Sequence, residues 1–201
     1  MQKEKFKEAV ILVDADYVDR VAFDLTVNFE RMLMRRIPRA DLAQWLVCVA
    51  LDGSPYGGEP GTAPDGGTQV IFLHRPDAEE MKNFAPGRYA DIDGQAFRDH
   101  LGEFSISALP VEAVTTKADF FIDTLQLVCA QKEVRRVMVI PGDSLIPAVR
   151  QTLNRIDDDN KRITLFAMQP LQGGNFRQEI LGYSLMAAMG IRSEEILGNE
   201  K

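Results

Sequence analysis

Aspartates beside apolar runs are the residues of this chain most suited to chemistry. Asp14 and Asp16 follow an apolar run near the start, Asp143 closes a later one, and Asp119 and Asp123 lie between them. The carboxyl ends of parallel strands share one edge of an α/β sheet, so acids distant in sequence can meet in one pocket there. Carboxylate oxygens are the ligands that a hard cation such as Mg²⁺ prefers. The pattern therefore predicts a divalent-cation site built from three segments.

Each acid also has an ordinary structural interpretation. Asp16 suits the N-cap of the next helix, and Asp143 suits the N-cap of a later one. Asp119 follows a threonine by three residues, as in a capping box, and shares a helix face with Asp123. Asp14 is different, because an acid on the last residue of a buried strand is costly without a partner. Asp14 is therefore the strongest single candidate.

The elements that must position these acids alternate between strands and helices. Apolar runs predict strands at 8–14, 45–51, 69–74, 103–108, 136–140 and 162–168. Helical spacing predicts helices at 17–36, 117–131, 145–154 and 176–189. Residues 77–102 are expected to be irregular, and 53–67 to form a Gly/Pro-rich loop. The alternation predicts one α/β domain over residues 1–201, a three-layer sandwich whose mostly parallel central sheet has helices on both faces.

Composition limits the classes of protein that this chain can belong to. Its 201 residues suit one domain, and its net charge of -7 argues against holding nucleic acid by bulk charge. Cys48 and Cys129 lie in apolar stretches, which predicts reduced thiols in a cytoplasmic protein. No apolar stretch approaches the roughly 20 residues that span a bilayer, so no membrane association is expected. His74 and His100 lack ligand-spaced neighbours, which argues against zinc.

The acid-bearing segments, in their order, resemble the NYN domain family of the PIN-like nuclease superfamily. That family shows a strand ending in an acid, a Lys-Gly-x-Asp helix start, and then a strand ending in Ser-Gly-Asp followed by Asp-Phe and a Pro. The resemblance spans residues 8–170 and follows the fold pattern more than residue identity. Its counterparts here are Val13-Asp14-Ala15-Asp16, Lys117-Ala118-Asp119 and Pro141-Gly142-Asp143-Ser144.

The resemblance implies cleavage of RNA with Mg²⁺ or Mn²⁺. A bound cation would lower the pKa of a water ligand and stabilise charge on the leaving oxygen. RNA is then the expected partner, and a homodimer is left open. By resemblance, the catalytic and metal-binding acids are Asp14, Asp119 and Asp143, the supporting metal ligands are Asp123 and Asp16, and the substrate-binding residues are Lys117 and Ser144.

The chain also departs from the family pattern. Asp16-Tyr17 stands where the family often has Gly-Asn, and the Lys-Gly-x-Asp spacing is one residue shorter. The second acid of the last motif is absent, since Leu145-Ile146 stands there, and Pro147 comes one residue early. Fewer acids mean weaker cation binding. Two interpretations follow: a divergent nuclease, or a non-enzymatic PIN-like module for interaction or regulation.

A haloacid-dehalogenase-like phosphatase is a further alternative. Asp14 would be its nucleophile and Asp16 its general acid, with Lys117 and Asp143 in the later motifs. Those enzymes place a loop and a hairpin after the first motif, whereas this sequence predicts a long helix there.

The segment Gly142-Asp143-Ser144-Leu145 also matches the signature of the GDSL esterases. Those enzymes take a histidine base from near the C-terminus, and no histidine follows His100 in this chain. Ser144 would lack an activating base, so an esterase is not expected.

Overall fold

A computed structural model describes residues 5–54 and 66–198, in which strands and helices alternate. The strands are β1 (Ala9–Asp14), β2 (Ala40–Asp41), β3 (Thr68–His74), β4 (Phe84–Ala85), β5 (Ala96–Asp99), β6 (Gly102–Pro110), β7 (Arg136–Ile140), β8 (Arg162–Ala167) and β9 (Arg177–Ile180). The α-helices are α1 (Ala15–Leu33), α2 (Leu42–Asp52), α3 (Tyr89–Ile92), α4 (Lys117–Cys129), α5 (Ile146–Asn154), α6 (Leu181–Ala188) and α7 (Ser193–Gly198). A short 3₁₀ turn, Asp143–Leu145, precedes α5.

The central sheet has seven strands in the order β5-β6-β3-β1-β7-β8-β9. Its neighbouring strands are parallel except β5, which is antiparallel to β6. The chain builds outward from β1 through β3 to β6, and then returns to the other side of β1 with β7. The strand order therefore reverses between β1 and β7, and ligands bind at such a switch point in open α/β sheets.

The two faces of β1 pack into two separate cores. Ile11 and Val13 face the core that α1, α2 and α6 cover. Val10 and Leu12 face the core that α4 and α5 cover. Burial on both faces explains why the β1 sequence is apolar without alternation. The predicted three-layer α/β sandwich is therefore confirmed.

The predicted strand at 45–51 is wrong, because these residues belong to helix α2. Asp41 caps the helix, and its side chain accepts a hydrogen bond from the Gln44 amide at 2.9 Å. Trp45, Leu46 and Val49 are fully buried against the sheet and α6. An apolar run this short is ambiguous, because a buried helix and a buried strand give the same pattern.

The predicted helix at 176–189 is partly wrong. Its first residues form β9, which pairs in parallel with β8, and only Leu181–Ala188 is helical. The region 77–102 is also more regular than predicted, since it contains β4, α3 and β5. Most of the predicted loop at 53–67 lies outside the described residues. Over residues 5–54 and 66–198, no helix is long and apolar enough to cross a membrane.

Candidate functional site

A cavity of about 650 Å³ opens at the switch point, where β1 and β7 end. We call it the edge cavity. Asp14 leaves β1 into its wall, and Gly142, Asp143 and Ser144 follow β7. Its charged lining comprises three acids, Asp14, Asp16 and Asp143, and three cations, Arg20, Arg75 and Lys117.

Asp14 is both the last residue of β1 and the N-cap of α1. Its Oδ1 accepts a hydrogen bond from the Tyr17 amide at 3.3 Å, and only 3% of the residue is exposed. Burial raises the pKa of the Asp14 carboxyl above its usual range, and the nearby Lys117 opposes that rise. The prediction that Asp16 is the N-cap of this helix is therefore wrong. Strand and helix join without a linker, so the strand-end acid also caps the helix.

Lys117 lies between two of the acids. Its Nζ contacts Asp14 Oδ1 and lies 2.9 Å from Asp16 Oδ2. Lys117 is the first residue of α4, whose start is held by Thr116, because the Thr116 hydroxyl accepts from the Asp119 amide at 3.1 Å. An ammonium group therefore bridges the two carboxylates that follow β1.

Asp16 connects α1 to the end of the neighbouring strand, β3. Its Oδ2 accepts a hydrogen bond from the Arg75 amide at 2.9 Å, and its Oδ1 lies 3.7 Å from Arg75 Nε. Arg75 directly follows β3, so the contact joins two adjacent strand ends. The Asp16 carboxylate therefore contacts Lys117 on one side and Arg75 on the other.

Asp143 reaches the edge cavity from β7. It is exposed, and its Oδ1 accepts a hydrogen bond from the Tyr17 hydroxyl at 2.7 Å. Burial and this hydrogen bond raise the pKa of the Tyr17 phenol. The expectation that Asp143 caps the next helix is wrong, because the N-cap of α5 is Leu145. Its oxygens face the cavity and Tyr17 instead.

Gly142 allows the end of β7 to approach Asp14. A Cβ atom at this position would lie 2.8 Å from Asp14 Oδ2, closer than such atoms come without a shift. The backbone of Gly142 is extended, with φ of -64°, so any residue could adopt it. The glycine is therefore required for space around the Asp14 carboxylate.

The structure separates the five predicted metal ligands into two groups. Asp14, Asp16 and Asp143 line the edge cavity, together with the predicted substrate-binding residues Lys117 and Ser144. Asp119 and Asp123, both described, are exposed on α4 and lie outside its lining.

Three further residues of the lining were missed by the sequence interpretation: Tyr17, Arg20 and Arg75. Arg75 directly follows a predicted strand, so the strand-end rule that selected the acids would also have selected it. Arg20 lies one helical turn after Asp16, with its guanidinium 5.6 Å from the centre of the Tyr17 ring. Tyr17 carried no signal, since an aromatic residue at a helix start usually belongs to the core.

The carboxylates of the edge cavity are the groups that could bind a hard cation. The carboxylates of Asp14, Asp16 and Asp143 suit Mg²⁺ or Mn²⁺ in ligand type. However, within the described part of the chain no three His, Cys, Asp or Glu side chains are gathered closely enough to hold a metal ion. The ammonium of Lys117 contacts two of the three acids. The three acids suit the cation in ligand type only, because the Lys117 ammonium lies between Asp14 and Asp16 where an ion would have to bind both.

The arrangement has clear chemical capacities. Arg20, Arg75 and Lys117 can bind phosphate oxygens through charge-assisted hydrogen bonds. The three carboxylates can accept protons or bind a cation. A cavity with both kinds of group suits a phosphoester better than a neutral ligand.

No curated protein and no solved structure matches the chain. The resemblance to NYN nucleases therefore stays a prediction. One family matches residues 3–196, and its description is a family of unknown function (DUF6621). Because this match covers almost the whole sequence, the chain belongs to the DUF6621 family.

Proposed function

We propose that the protein is a PIN-like phosphodiesterase that hydrolyses RNA in the edge cavity with Mg²⁺ or Mn²⁺. The observation that carries the proposal is the meeting of Asp14 and Asp143, from the ends of β1 and β7, in one cavity with three cations. Capping helix α1 requires only one acid, which is Asp14. A second acid, brought to the same switch point by another strand, therefore favours a ligand site.

The residues of the cavity have separate roles in this proposal. Asp14, Asp16 and Asp143 would hold the cation, which supplies an activated water and stabilises charge on the leaving oxygen. Arg20 and Arg75 would bind the phosphate. Ser144, exposed at the rim, would donate a hydrogen bond to a phosphate oxygen. Asp119 and Asp123 have no role in this proposal, because they lie outside the lining of the cavity.

We propose a cytoplasmic location for the protein from its cysteines. Cys48 and Cys129 are both free thiols, and Cys129 is buried. Reduced cysteines are usual in the cytoplasm, so we place the protein there.

The proposal is tested with a fluorescent single-stranded RNA oligonucleotide and Mn²⁺. Wild type should cleave it, and Asp14→Asn should reduce the rate by about a hundredfold, as loss of a metal-site group does. Asp24→Asn is the matched control, because Asp24 is an exposed acid of α1 outside the cavity. Equal cleavage by wild type and Asp14→Asn would contradict the proposal, and so would no cleavage by wild type.

A second candidate is a non-enzymatic RNA-binding module. It is favoured by Lys117, which already pairs with both Asp14 and Asp16 without an added cation. Filter binding in the presence of a chelator separates the two. Tight RNA binding that depends on Arg75, with no cleavage in Mn²⁺, would favour the module.

The phosphatase alternative is not proposed. Helix α1 begins at Ala15, directly after β1. This start leaves no room for the loop and hairpin that such an enzyme places after its first acid.

A further inference from the structure

We infer that the outward ridge of α1 is a dimer interface, which binds a second copy of this chain in antiparallel orientation. The ridge carries Phe23, Val27 and Met34, and we call these three residues the α1 stripe. The inference goes beyond the proposed function, because all residues of the edge cavity come from one copy. It therefore stands or falls separately from the nuclease proposal.

The α1 stripe is an exposed apolar row. Phe23 is 54% exposed, Val27 38% and Met34 87%. A helix turns by about 100° per residue, so these positions lie within about 40° of one another. Val18 and Val21 lie on the opposite side of the helix and are buried in the core. Single exposed apolar residues are ordinary on a protein surface, whereas an aligned row favours a binding surface.

The charges beside the α1 stripe complement one another across a two-fold axis. Asp24 and Arg31 are both exposed, and they lie about 60° and 40° round the helix from Val27, on the same side of it. A two-fold axis at Val27 makes the two helices antiparallel and keeps this side in common. Asp24 of one copy is then level with Arg31 of the partner subunit to within about 1.5 Å, the rise of one residue. An isologous dimer contains this ion pair twice.

The apolar residues and the charges have different roles in this interface. Burial of apolar surface, with Phe23 near the centre, is the main favourable contribution to association. Exposed ion pairs add little affinity, but they select the partner and fix its register. A parallel pairing would place Asp24 level with the same residue of the other copy and would lose both ion pairs. The charges therefore favour the antiparallel pairing.

The C-terminal end of the α1 stripe is held by helix α7. Arg35, next to Met34, donates from Nε to Glu195 Oε1 at 2.9 Å and from Nη2 to Glu195 Oε2 at 3.0 Å. A surface that is ordered before binding loses less conformational entropy on association. The stripe is therefore prepared for docking without rearrangement of the fold.

A second copy suits the α1 stripe better than RNA does. Two of its three residues are aliphatic, whereas unpaired bases stack on aromatic side chains. The net charge of -7 also disfavours RNA outside the cationic edge cavity. One helix face is smaller than the about 800 Å² per partner of a standard interface, so we expect a weak dimer that depends on protein concentration.

Sedimentation velocity of the full chain over a concentration series tests the inference. Wild type should pass from monomer to dimer as the concentration rises. Phe23→Ser should raise the Kd of the dimer by about tenfold or more, because a central aromatic residue carries much of the energy of an interface. Leu127→Ser is the matched control, since Leu127 of α4 is also 54% exposed. A wild type that stays monomeric, or an unchanged Kd for Phe23→Ser, would overturn the inference.

A charge exchange tests the antiparallel register, and it does not depend on the folding of Phe23→Ser. Asp24→Arg and Arg31→Asp should each weaken the homodimer severalfold, because like charges then face each other. An equimolar mixture of the two variants should dimerise at least as tightly as wild type, since the mixed dimer restores opposite charges. Equal association of the mixture and of the separate variants would contradict the register and overturn the inference.

Two further results distinguish the inference from RNA binding and from the nuclease proposal. If wild type stayed monomeric and bound RNA through Phe23, the α1 stripe would belong to nucleic acid and the inference would be overturned. A dimer that Phe23→Ser weakens, without RNA cleavage by wild type, would remove the nuclease proposal and support the inference.

Discussion

Within residues 5–54 and 66–198, burial raises the pKa of Asp14 and of Asp52, which lie at opposite edges of the sheet and differ in their neighbours. Asp14 lies at the carboxyl end of β1, against Lys117. Asp52 ends α2 beside Ser54, which lies near the amino ends of β1, β3 and β7. The charged groups that shift the pKa of Asp52 are Glu179 and Arg177 of β9.

Burial is the main cause of a raised carboxyl pKa at both positions. At Asp14 the next influence is Lys117, which lowers the pKa. At Asp52 the next influence is Glu179, which raises it further, so that the pKa reaches about 6. Arg177 pairs with Glu179, at 3.3 Å, and it contributes least at Asp52. Burial of an acid therefore does not by itself identify a site. A positive partner and an open cavity distinguish Asp14.

The largest expected effect comes from removing the partner of Asp14. Lys117→Met should lower the free energy of unfolding at pH 7 by about 2–4 kcal/mol, because it leaves a buried carboxylate unpaired. Urea denaturation measures this, with Lys132→Met as the control, since Lys132 is an exposed lysine outside the edge cavity. The double variant Lys117→Met with Asp14→Asn should recover most of the loss. Unchanged stability of Lys117→Met would mean that the two edges of the sheet do not differ as described.

The effect of Lys117→Met should also depend on pH. The pKa of Asp14 is already raised in the folded state, and without Lys117 it should rise further. A raised folded-state pKa favours folding at low pH and loses that contribution as pH increases. The deficit of Lys117→Met relative to wild type should therefore shrink as the pH falls toward 4.

The opposite result is expected at the amino edge. Asp52→Asn should raise the free energy of unfolding at pH 8 by about 1–2 kcal/mol, because a shift of one pKa unit corresponds to about 1.4 kcal/mol and Asp52 is partly exposed. The folded-state pKa of Asp52, about 6, exceeds its ordinary value of 3.8. Its contribution is thus full below pH 3.8 and is lost as the pH rises through 6.

Urea denaturation between pH 4 and 8 checks this expectation. Wild type should lose stability relative to Asp52→Asn over that range. The matched variant Glu179→Gln should show a smaller gain, since Glu179 acts on Asp52 only through its charge. If wild type gained stability relative to Asp52→Asn over this pH range, the raised pKa of Asp52 would be contradicted.

The residues that meet at the carboxyl edge of the sheet could be predicted from sequence, because the alternation of strands and helices implies that the strands are parallel. Parallel strands with crossover helices bring all strand ends to one edge, so Asp14 and Asp143 were placed together without coordinates. The same rule applied to Arg75 would have added a third strand end to the lining. The run at 45–51 could not be assigned, because complete burial removes the periodicity that separates a helix from a strand.

The spacing of apolar residues on α4 predicts the solvent-facing placement of Asp119 and Asp123. On α4 the buried residues are Phe121, Leu125, Val128 and Cys129. Each residue turns a helix by about 100°, so acids two positions from Phe121 lie on the opposite, solvent side. Lys117 is harder to predict, since the rotamer of a long side chain depends on acids contributed by another element.

The smallest expected effect concerns the space around Asp14. Gly142→Ala should destabilise the protein by about 1 kcal/mol, because an added methyl group in a packed site forces a neighbour to move. The neighbour is Asp14 Oδ2, 2.8 Å from the new Cβ atom, so the displaced carboxylate should bind Mn²⁺ more weakly. Gly198→Ala is the control, since nothing lies within 4 Å of its Cβ position. Thermal unfolding measures the loss of stability, and Mn²⁺ titration measures the loss of binding.

Loss of Mn²⁺ binding by Gly142→Ala with little loss of stability would assign Gly142 to the site. Equal behaviour of Gly142→Ala and Gly198→Ala would show instead that the Asp14 carboxylate adjusts freely, and that its position is not critical.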